Sequence, residues 1–214
     1  MQFLNLENMA RSTAEVEFHP LKPFLPKNAK VLFLGSFPPQ RKRWSMDFFY
    51  PNFINDHWRI EGQIFFGDRN HFVDEREKRF RQEEIVAFCQ EKGIAFFDTA
   101  TAIRRTKDNA SDKFLEVVEA TDVAALLAQM PQCQALVTTG QKATDVIVDR
   151  FGCQAPAVGE CVPLCVPMRE LTFWRMPSTS RAYPLSLEKK AEAYAKVLEQ
   201  NEVQSPGLFQ LEIK

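Results

Sequence analysis

Four short apolar runs, separated by longer segments with helical periodicity, constrain the fold of this chain more than any other feature of its sequence. We predict strands at residues 30–34, 94–97, 135–138 and 171–174. We predict helices at residues 58–66, 76–92, 115–129, 143–151 and 186–200. Short buried strands that alternate with amphipathic helices are typical of a parallel sheet covered on both faces. The sequence therefore predicts an α/β fold, a three-layer α/β/α sandwich around a central, mainly parallel sheet of four strands.

The segments outside these elements are predicted to lack regular structure. Residues 1–28 end in a proline-rich stretch and form an extended lead-in, because proline fixes φ and removes a backbone donor. Residues 103–112 are a basic, polar loop, residues 153–167 are irregular, and residues 202–214 are a C-terminal tail. The length of 214 residues fits one domain over 1–214.

The composition argues against several classes of protein. The formal net charge is −1, so nucleic-acid binding would depend on local basic patches. Five cysteines without a CxxC pair argue against a disulfide framework and a structural zinc site. The spacing of Cys153, Cys161 and Cys165 leaves a metal or iron–sulfur cluster as the less favoured alternative. The sequence has no signal-peptide pattern and no apolar run of about 18 residues, so we expect no membrane partner and a cytoplasmic location.

Each predicted strand ends in a loop of small, polar or proline residues. These loops cover residues 35–39, 98–101, 139–141 and 176–181. The carboxyl ends of parallel strands meet at one edge of a sheet, so we expect these loops to form one ligand site. Residues 48–58 add aromatic rings beside Asn and Asp, a combination that suits a flat heterocycle. Neither a GxGxxG nor a P-loop pattern occurs, which argues against a dinucleotide or P-loop nucleotide site.

Three of these segments resemble motifs of the uracil-DNA glycosylase superfamily, most nearly its mismatch-specific and hypoxanthine-DNA glycosylase branches. Residues 35–39 are similar to the first motif, and residues 176–181 are similar to the last motif. Tyr50, Asn55 and Trp58 fall in the register of the aromatic segment between them. The resemblance spans residues 29–200. It implies a monofunctional DNA glycosylase that flips out uracil or hypoxanthine and excises it by water attack, with no metal and no cofactor.

The resemblance also implies roles for individual residues. In the first motif Phe37 occupies the position where the mismatch-specific branch has a water-positioning Asn. The catalytic role then passes to Asn55, with Asp56 and Asp98 as further candidates. The residues expected to bind the base are Gly35, Ser36, Phe37, Tyr50 and Trp58. The residues expected to contact DNA are Arg41, Arg43, Lys142, Pro177, Ser178, Ser180 and Arg181. The expected partner is DNA with a damaged or mismatched base, bound by a monomer.

Other interpretations of the same residues stay open at this point. Asn55 suits a turn or a helix N-cap, and Tyr50 suits an aromatic that covers the core. Basic runs such as residues 41–43 usually form solvated surface. The chain as a whole could be a non-catalytic nucleic-acid-binding domain of the same fold, because Phe37 cannot position water. It could also be a small-molecule hydrolase, which the net charge of −1 mildly favours.

Overall fold

The computed structural model describes residues 14–106, 114–167 and 169–203. Within these ranges the strands are β1 (Val16–Phe18), β2 (Val31–Gly35), β3 (Val73–Asp74), β4 (Arg79–Phe80), β5 (Ile94–Asp98), β6 (Ala100–Arg105), β7 (Leu115–Ala120), β8 (Ala135–Thr139), β9 (Glu160–Val166) and β10 (Arg169–Met176). The helices are α1 (His57–Phe66), α2 (Gln82–Lys92), α3 (Val123–Ala128), α4 (Gln141–Phe151) and α5 (Leu187–Gln200), and a short 3-10 helix spans Arg41–Arg43. None of the helices in the described ranges is both long and apolar enough to cross a membrane.

The four predicted strands lie in one sheet, as the sequence indicates. Strands β5, β2, β8 and β10 are neighbours in that order and run parallel, and helices flank the sheet. The α/β prediction with a mainly parallel central sheet is therefore confirmed. Strands β2, β5 and β8 are buried along their whole length, which explains why each reads as a continuous apolar run.

The central sheet has five strands rather than the four predicted, because β9 pairs antiparallel with β10 at its edge. Residues 153–167 were predicted to be irregular on account of their prolines. Pro163 lies within β9, opposite Thr172. An edge strand accepts proline because only one of its sides needs a complete ladder of hydrogen bonds.

The predicted helix at 115–129 is replaced by strand β7 and the shorter helix α3. Strand β7 pairs antiparallel with β6, which in turn pairs with β1, in a separate sheet of three strands. Residues 103–105 of the predicted basic loop therefore belong to β6, and residues 107–112 of that loop lie outside the described residues. Leu115 is buried beside Phe37 and Ile103, so packing from a distant part of the chain favours the strand.

The predicted helix at 76–92 begins later than its pattern indicates. Residues 73–80 form the β3–β4 hairpin, and α2 starts only at Gln82. Phe80 is buried against Phe53, and this contact holds the hairpin on the core. Helix α5 begins where the sequence predicts, because the Ser186 side chain accepts a hydrogen bond from the Lys189 amide at 3.3 Å.

The predicted lead-in contributes structure that the sequence did not indicate. Strand β1 pairs with β6, and Phe24 forms an isolated bridge with Phe96 of β5. Between these two points the chain passes the end of β5, which brings His19 to the edge of the central sheet. Residues 1–13 of the lead-in and residues 204–214 of the predicted tail lie outside the described residues.

Candidate active site

A cleft of about 690 Å³ opens at the carboxyl edge of the parallel strands. Its walls are formed by the ends of β2, β5 and β8, by the loop that precedes α1, and by the loop that follows β10. Of the residues predicted from sequence, those that line it are Gly35, Ser36, Phe37, Arg43, Tyr50, Asn55, Asp98, Ser178, Ser180 and Arg181. The strand-end loops therefore meet in space as the sequence predicts.

Gly35 and Asp98 form the floor of this cleft. They are the last residues of β2 and β5, and they are register partners. A Cβ atom at position 35 would collide with Asp98 Oδ1, so only glycine leaves room for this carboxylate. The Tyr50 hydroxyl lies 3.8 Å from the position that this Cβ atom would occupy. A carboxylate oxygen and a phenol therefore converge above Gly35.

His19 holds the other oxygen of Asp98, and sequence reasoning missed it. His19 Nε2 lies 2.9 Å from Asp98 Oδ2, with the two side chains only 3% and 11% exposed. Because an ionised carboxylate only accepts hydrogen bonds, Nε2 carries the proton. The Leu21 amide donates to the other ring nitrogen, Nδ1, at 3.2 Å. The Leu21 carbonyl oxygen lies 2.9 Å from Nδ1 and would accept a hydrogen bond if that nitrogen also carried a proton. The sequence offers no local signal for this pair, because its members are 79 residues apart.

Tyr50 is fixed at its ring, at its hydroxyl and in its backbone. The ring stacks on His57 at 3.9 Å with 14° between the planes, and the hydroxyl is hydrogen-bonded to Thr139 Oγ1 at 2.8 Å. Its φ of +52° is left-handed, which is rare for a residue other than glycine. Such a conformation costs on the order of 1–3 kcal/mol and is concentrated at functional sites. Tyr50 therefore presents an aromatic group of fixed orientation to the cleft.

Beneath Tyr50 lies a second pair of titratable side chains, His57 and Glu61 of α1. Both are fully buried, and neither has a hydrogen-bond partner among the described residues. His57 Nε2 and Glu61 Oε1 are 3.8 Å apart, one helical turn from each other. Burial lowers the pKa of His57 to about 3 and raises the pKa of Glu61 to about 8. Both side chains are therefore uncharged at neutral pH.

Asn55 lies at the cleft and also caps helix α1. Its Oδ1 accepts a hydrogen bond from the His57 amide at 2.8 Å, as expected for the turn-and-cap interpretation. The same side chain lines the cleft. The cap fixes the direction of the amide, and a carbonyl oxygen keeps a second lone pair for another donor.

Asp56 is buried and is not among the residues that line the cleft. Lys190 Nζ donates to Asp56 Oδ2 at 3.0 Å, and Arg181 Nε donates to Asp56 Oδ1 at 3.3 Å. The Asp56 amide donates to the Thr179 carbonyl at 2.9 Å, and Lys190 also donates to the Ser180 carbonyl at 2.9 Å. Asp56 therefore joins the start of α1 to the loop after β10.

The structure places Trp58 in the core instead of the cleft wall, which corrects the prediction that it contacts the base. Its side chain is fully buried, and its indole nitrogen donates to the Phe49 carbonyl at 3.0 Å. An aromatic at this spacing serves equally well in a core or at a ligand site, so the sequence pattern alone could not separate the two. Trp58 supports the loop that carries Tyr50.

The predicted DNA-contacting residues divide between three hollows of the surface. Arg43, Ser180 and Arg181 line the cleft, and Ser178 lies between the cleft and a neighbouring hollow that contains Pro177 and Lys142. Arg41 lines a separate hollow beside the β3–β4 hairpin, where it is paired with Asp47 at 2.8 Å. That hollow contains none of the carboxyl ends of the parallel strands, and its lining has both signs of charge. Lys142 and Arg41 therefore lie outside the cleft itself.

Within the described ranges, no cluster of three or more His, Cys, Asp or Glu side chains has an arrangement that could hold a metal ion. Cys89 and Cys133 are buried, and burial raises the pKa of both thiols. Cys153, Cys161 and Cys165 are not joined in disulfides. The groups that face the cleft are carboxylate, amide, hydroxyl and guanidinium.

Comparison with known proteins shows the fold of the chain. No family model matches it, and no curated protein matches it. Among solved structures it is similar to a protein from Methanosarcina acetivorans, determined by NMR and provisionally assigned as a uracil DNA glycosylase. The two are 21% identical over 86% of this chain and 99% of the other, with a TM-score of 0.56. This chain therefore shares the fold of that archaeal protein.

Proposed function

We propose that this chain is a monofunctional DNA glycosylase that flips a deaminated base, uracil or hypoxanthine, out of DNA and cleaves its glycosidic bond. The observation that carries the proposal is the rigid Tyr50 ring beside the Asp98 carboxylate at the carboxyl edge of the sheet. The likeness to the Methanosarcina protein supports it, and so do the three loops that resemble glycosylase motifs.

The extruded base stacks on Tyr50 in this proposal. A stacking platform contributes about 1–3 kcal/mol per base, and it is most effective when its orientation is already fixed. The stack on His57 and the hydrogen bond to Thr139 supply that orientation before DNA arrives. Flipping itself costs a few kcal/mol and is cheapest at a mismatched or damaged base.

The reaction is the displacement of the base by water at the sugar carbon. The water oxygen forms a bond to that carbon while the carbon–nitrogen bond breaks. The electron pair of that bond leaves with the base, which takes up the proton that the water loses. Asn55 orients the water, because its amide is fixed by the His57 amide and faces the cleft. The Asp98 carboxylate stabilises positive charge that develops on the sugar. Asp56 holds the loop after β10 in place and takes no part in the chemistry.

DNA approaches along the basic side of the cleft. Arg43 and Arg181 contribute charge there, and the hydroxyls of Ser178 and Ser180 shape the loop by accepting from the Ser180 and Ala182 amides. Phosphate contacts fix the register of a protein on DNA without reading its sequence. Affinity should therefore fall with rising salt concentration, by about one log unit per log of salt for each phosphate neutralised.

A single-turnover cleavage assay tests the proposal. Excess protein is mixed with duplex oligonucleotides that carry uracil, hypoxanthine or xanthine, and abasic sites are revealed by alkali. We expect release of uracil or hypoxanthine, with no loss of activity in a chelator. Asn55→Ser keeps a helix-capping oxygen but removes the amide, so it should lower the rate on the order of 10²–10³-fold while leaving the fold intact.

Two results would count against the proposal. If the protein releases none of these bases but still binds DNA, the non-catalytic nucleic-acid-binding interpretation is correct. If Asn55→Ser cuts at the wild-type rate, Asn55 is only a helix cap, and the water must be held by another group.

A further inference from the structure

We infer that His19 is a positioning residue of the cleft: it holds the Asp98 carboxylate so that Oδ1 accepts a hydrogen bond from the extruded base or from the attacking water. The inference rests on the proposed function and extends it to a residue outside the central sheet. His19 does not line the cleft, whereas Asp98 does, so His19 acts through Asp98.

The contact between the two side chains is short and shielded from solvent. Nε2 and Oδ2 are 2.9 Å apart, and both side chains are largely buried. The His19 amide donates to the Thr101 carbonyl at 2.8 Å, next to the β1–β6 pairing. The His19 backbone is thus anchored to β6, three residues beyond the end of β5, and the imidazole reaches the carboxylate from a fixed point.

The His19 ring itself has little freedom to turn. It packs edge-on against Phe37 at 5.2 Å and lies tilted against Phe97 at 4.6 Å, measured between ring centroids. Its Nδ1 faces the backbone of Leu21. Rotation of the ring would break both polar contacts, so the direction of the Nε2–H bond is determined by the fold.

The second carboxylate oxygen of Asp98, Oδ1, occupies the space that a side chain at position 35 would fill. Oδ1 lies against the Cα of Gly35, where no side chain intervenes, close to the Tyr50 hydroxyl. The Asp98 backbone is also fixed, because the Thr121 hydroxyl donates to its carbonyl at 2.7 Å. With Oδ2 held by His19, the remaining lone pairs on Oδ1 are left for a ligand at the floor of the cleft, which Asp98 lines. A carboxylate can only accept there, so the matching ligand group is a donor, either an N–H of the base or an O–H of water.

A double-mutant cycle distinguishes a positioning role from a purely structural one. The four proteins are wild type, His19→Phe, Asp98→Asn and the double variant. His19→Phe keeps an aromatic ring among Phe37 and Phe97 but removes the donor. Two quantities are measured: the single-turnover rate on the base that the wild type releases, and the inhibition constant of that free base.

We expect His19→Phe to lower the rate about 10–100-fold, the size of effect seen when a group that orients a functional side chain is removed. In the Asp98→Asn background the same change should cause no further loss. His19→Gln, which restores an N–H donor, should recover part of the rate. If the free base also binds more weakly, the donor to Asp98 is an N–H of the base; if only the rate falls, the donor is water.

His71→Phe is the matched control, because His71 stacks on Phe66 and does not line the cleft. It should leave the rate and the inhibition constant unchanged. If the wild type is active and the rate losses of the two single variants add in the double variant, the His19 inference is wrong and the proposed function stands. His19 would then only anchor the N-terminal segment. A wild type that releases no base would overturn the proposed function, and the ligand-accepting role of Asp98 with it.

Discussion

The described part of the molecule contains two buried histidine–carboxylate pairs, and they differ in sequence separation, distance and exposure to the cleft. His19 and Asp98 come from distant parts of the chain and form a 2.9 Å hydrogen bond beside the cleft. His57 and Glu61 are one turn apart on α1, are separated by 3.8 Å, and are sealed in the core. An imidazole and a carboxyl group thus form a hydrogen bond in the first pair and none in the second.

The difference shows that proximity alone does not make an ion pair. In the inner pair the helix sets the separation, and burial outweighs attraction, so both groups lose their charge. In the outer pair the fold aligns a donor with an acceptor and leaves one carboxylate oxygen at the cleft. The outer pair can act on a ligand, whereas the inner pair supports the ring of Tyr50.

The largest expected effect distinguishes Asp98 from Glu61 by the activity of their variants. In the proposed reaction, Asp98→Asn should lower single-turnover excision on the order of 10²–10³-fold, because it removes the carboxylate charge beside the sugar. Glu61→Gln should change the rate less than about threefold, since Glu61 is already uncharged at neutral pH. A quench assay on the released base measures both. Equal losses in the two variants would remove the functional distinction between the pairs.

The second effect is a pH dependence of the free energy of unfolding that the buried Glu61 side chain causes. The folded protein keeps the Glu61 proton up to about pH 8, whereas the unfolded chain releases it near 4.5, so stability falls as pH rises between these values. His57 has the opposite slope between about 3 and 6.5, because there only the unfolded chain is protonated. The two slopes cancel from 4.5 to 6.5. A net fall of up to about 1.4 kcal/mol per pH unit remains between 6.5 and 8.

Glu61→Gln should abolish that fall, as measured by urea unfolding at pH 6.5, 7.3 and 8. The exposed carboxyl of Glu84 provides the control, because Glu84→Gln should leave the slope as it is in the wild type. A wild-type stability that stays constant from pH 6.5 to 8 would mean that Glu61 is ionised in the folded state.

The third effect is that of removing His57, the other member of the inner pair. Without His57 nothing offsets Glu61, so His57→Phe should lose stability continuously from pH 4.5 to 8. The loss of stability that the wild type shows as the pH drops from 4.5 to 3 should also disappear, because it comes from protonation of His57 in the unfolded chain. Phenylalanine retains a ring beneath Tyr50, so the comparison isolates the titration. Unchanged behaviour below pH 4.5 would show that His57 accepts a proton in the folded protein.

The smallest expected effect involves Tyr50, which stacks on His57 of the inner pair. Tyr50→Phe removes the hydrogen bond to Thr139 but keeps the ring stacked on His57. It should cost about 0.5–1.5 kcal/mol in thermal unfolding and leave excision almost unchanged. A large loss of activity would mean that the hydroxyl above Gly35, rather than the ring, contacts the substrate.

The elements that sequence reasoning located correctly are those whose signals are local. Strands β2, β5 and β8 are buried along their length and begin as apolar runs, and Ser186 caps α5 by a contact three residues away. Strand β7 was missed because its stability comes from pairing with β6, an earlier segment that its helix-like pattern does not include, and β9 was missed because its proline argued against a strand. The helix-like pattern at 115–129 could not report a partner strand.

The same distinction applies to the candidate site. Gly35, Tyr50 and Asp98 were found because each lies at or after a recognisable strand end. His19 was not found, because its contact with Asp98 depends on how β1 docks on β6. Trp58 was assigned to the site by its register in the aromatic segment, and Asp56 was a further catalytic candidate. Trp58 instead lies in the core and Asp56 is bonded to Lys190, so only Asn55 of the three lines the cleft.

The bonds that join Asp56 to the loop after β10 determine how wide the cleft can be. Asp56 is linked to Thr179 and Lys190, Lys190 is linked to Ser180, and these contacts connect the two walls that contain Asn55 and Ser178. Because these hydrogen bonds tie the two walls to each other, the cleft cannot widen at this point without breaking them. A ligand that needs a wider opening must therefore break these contacts or change its own shape.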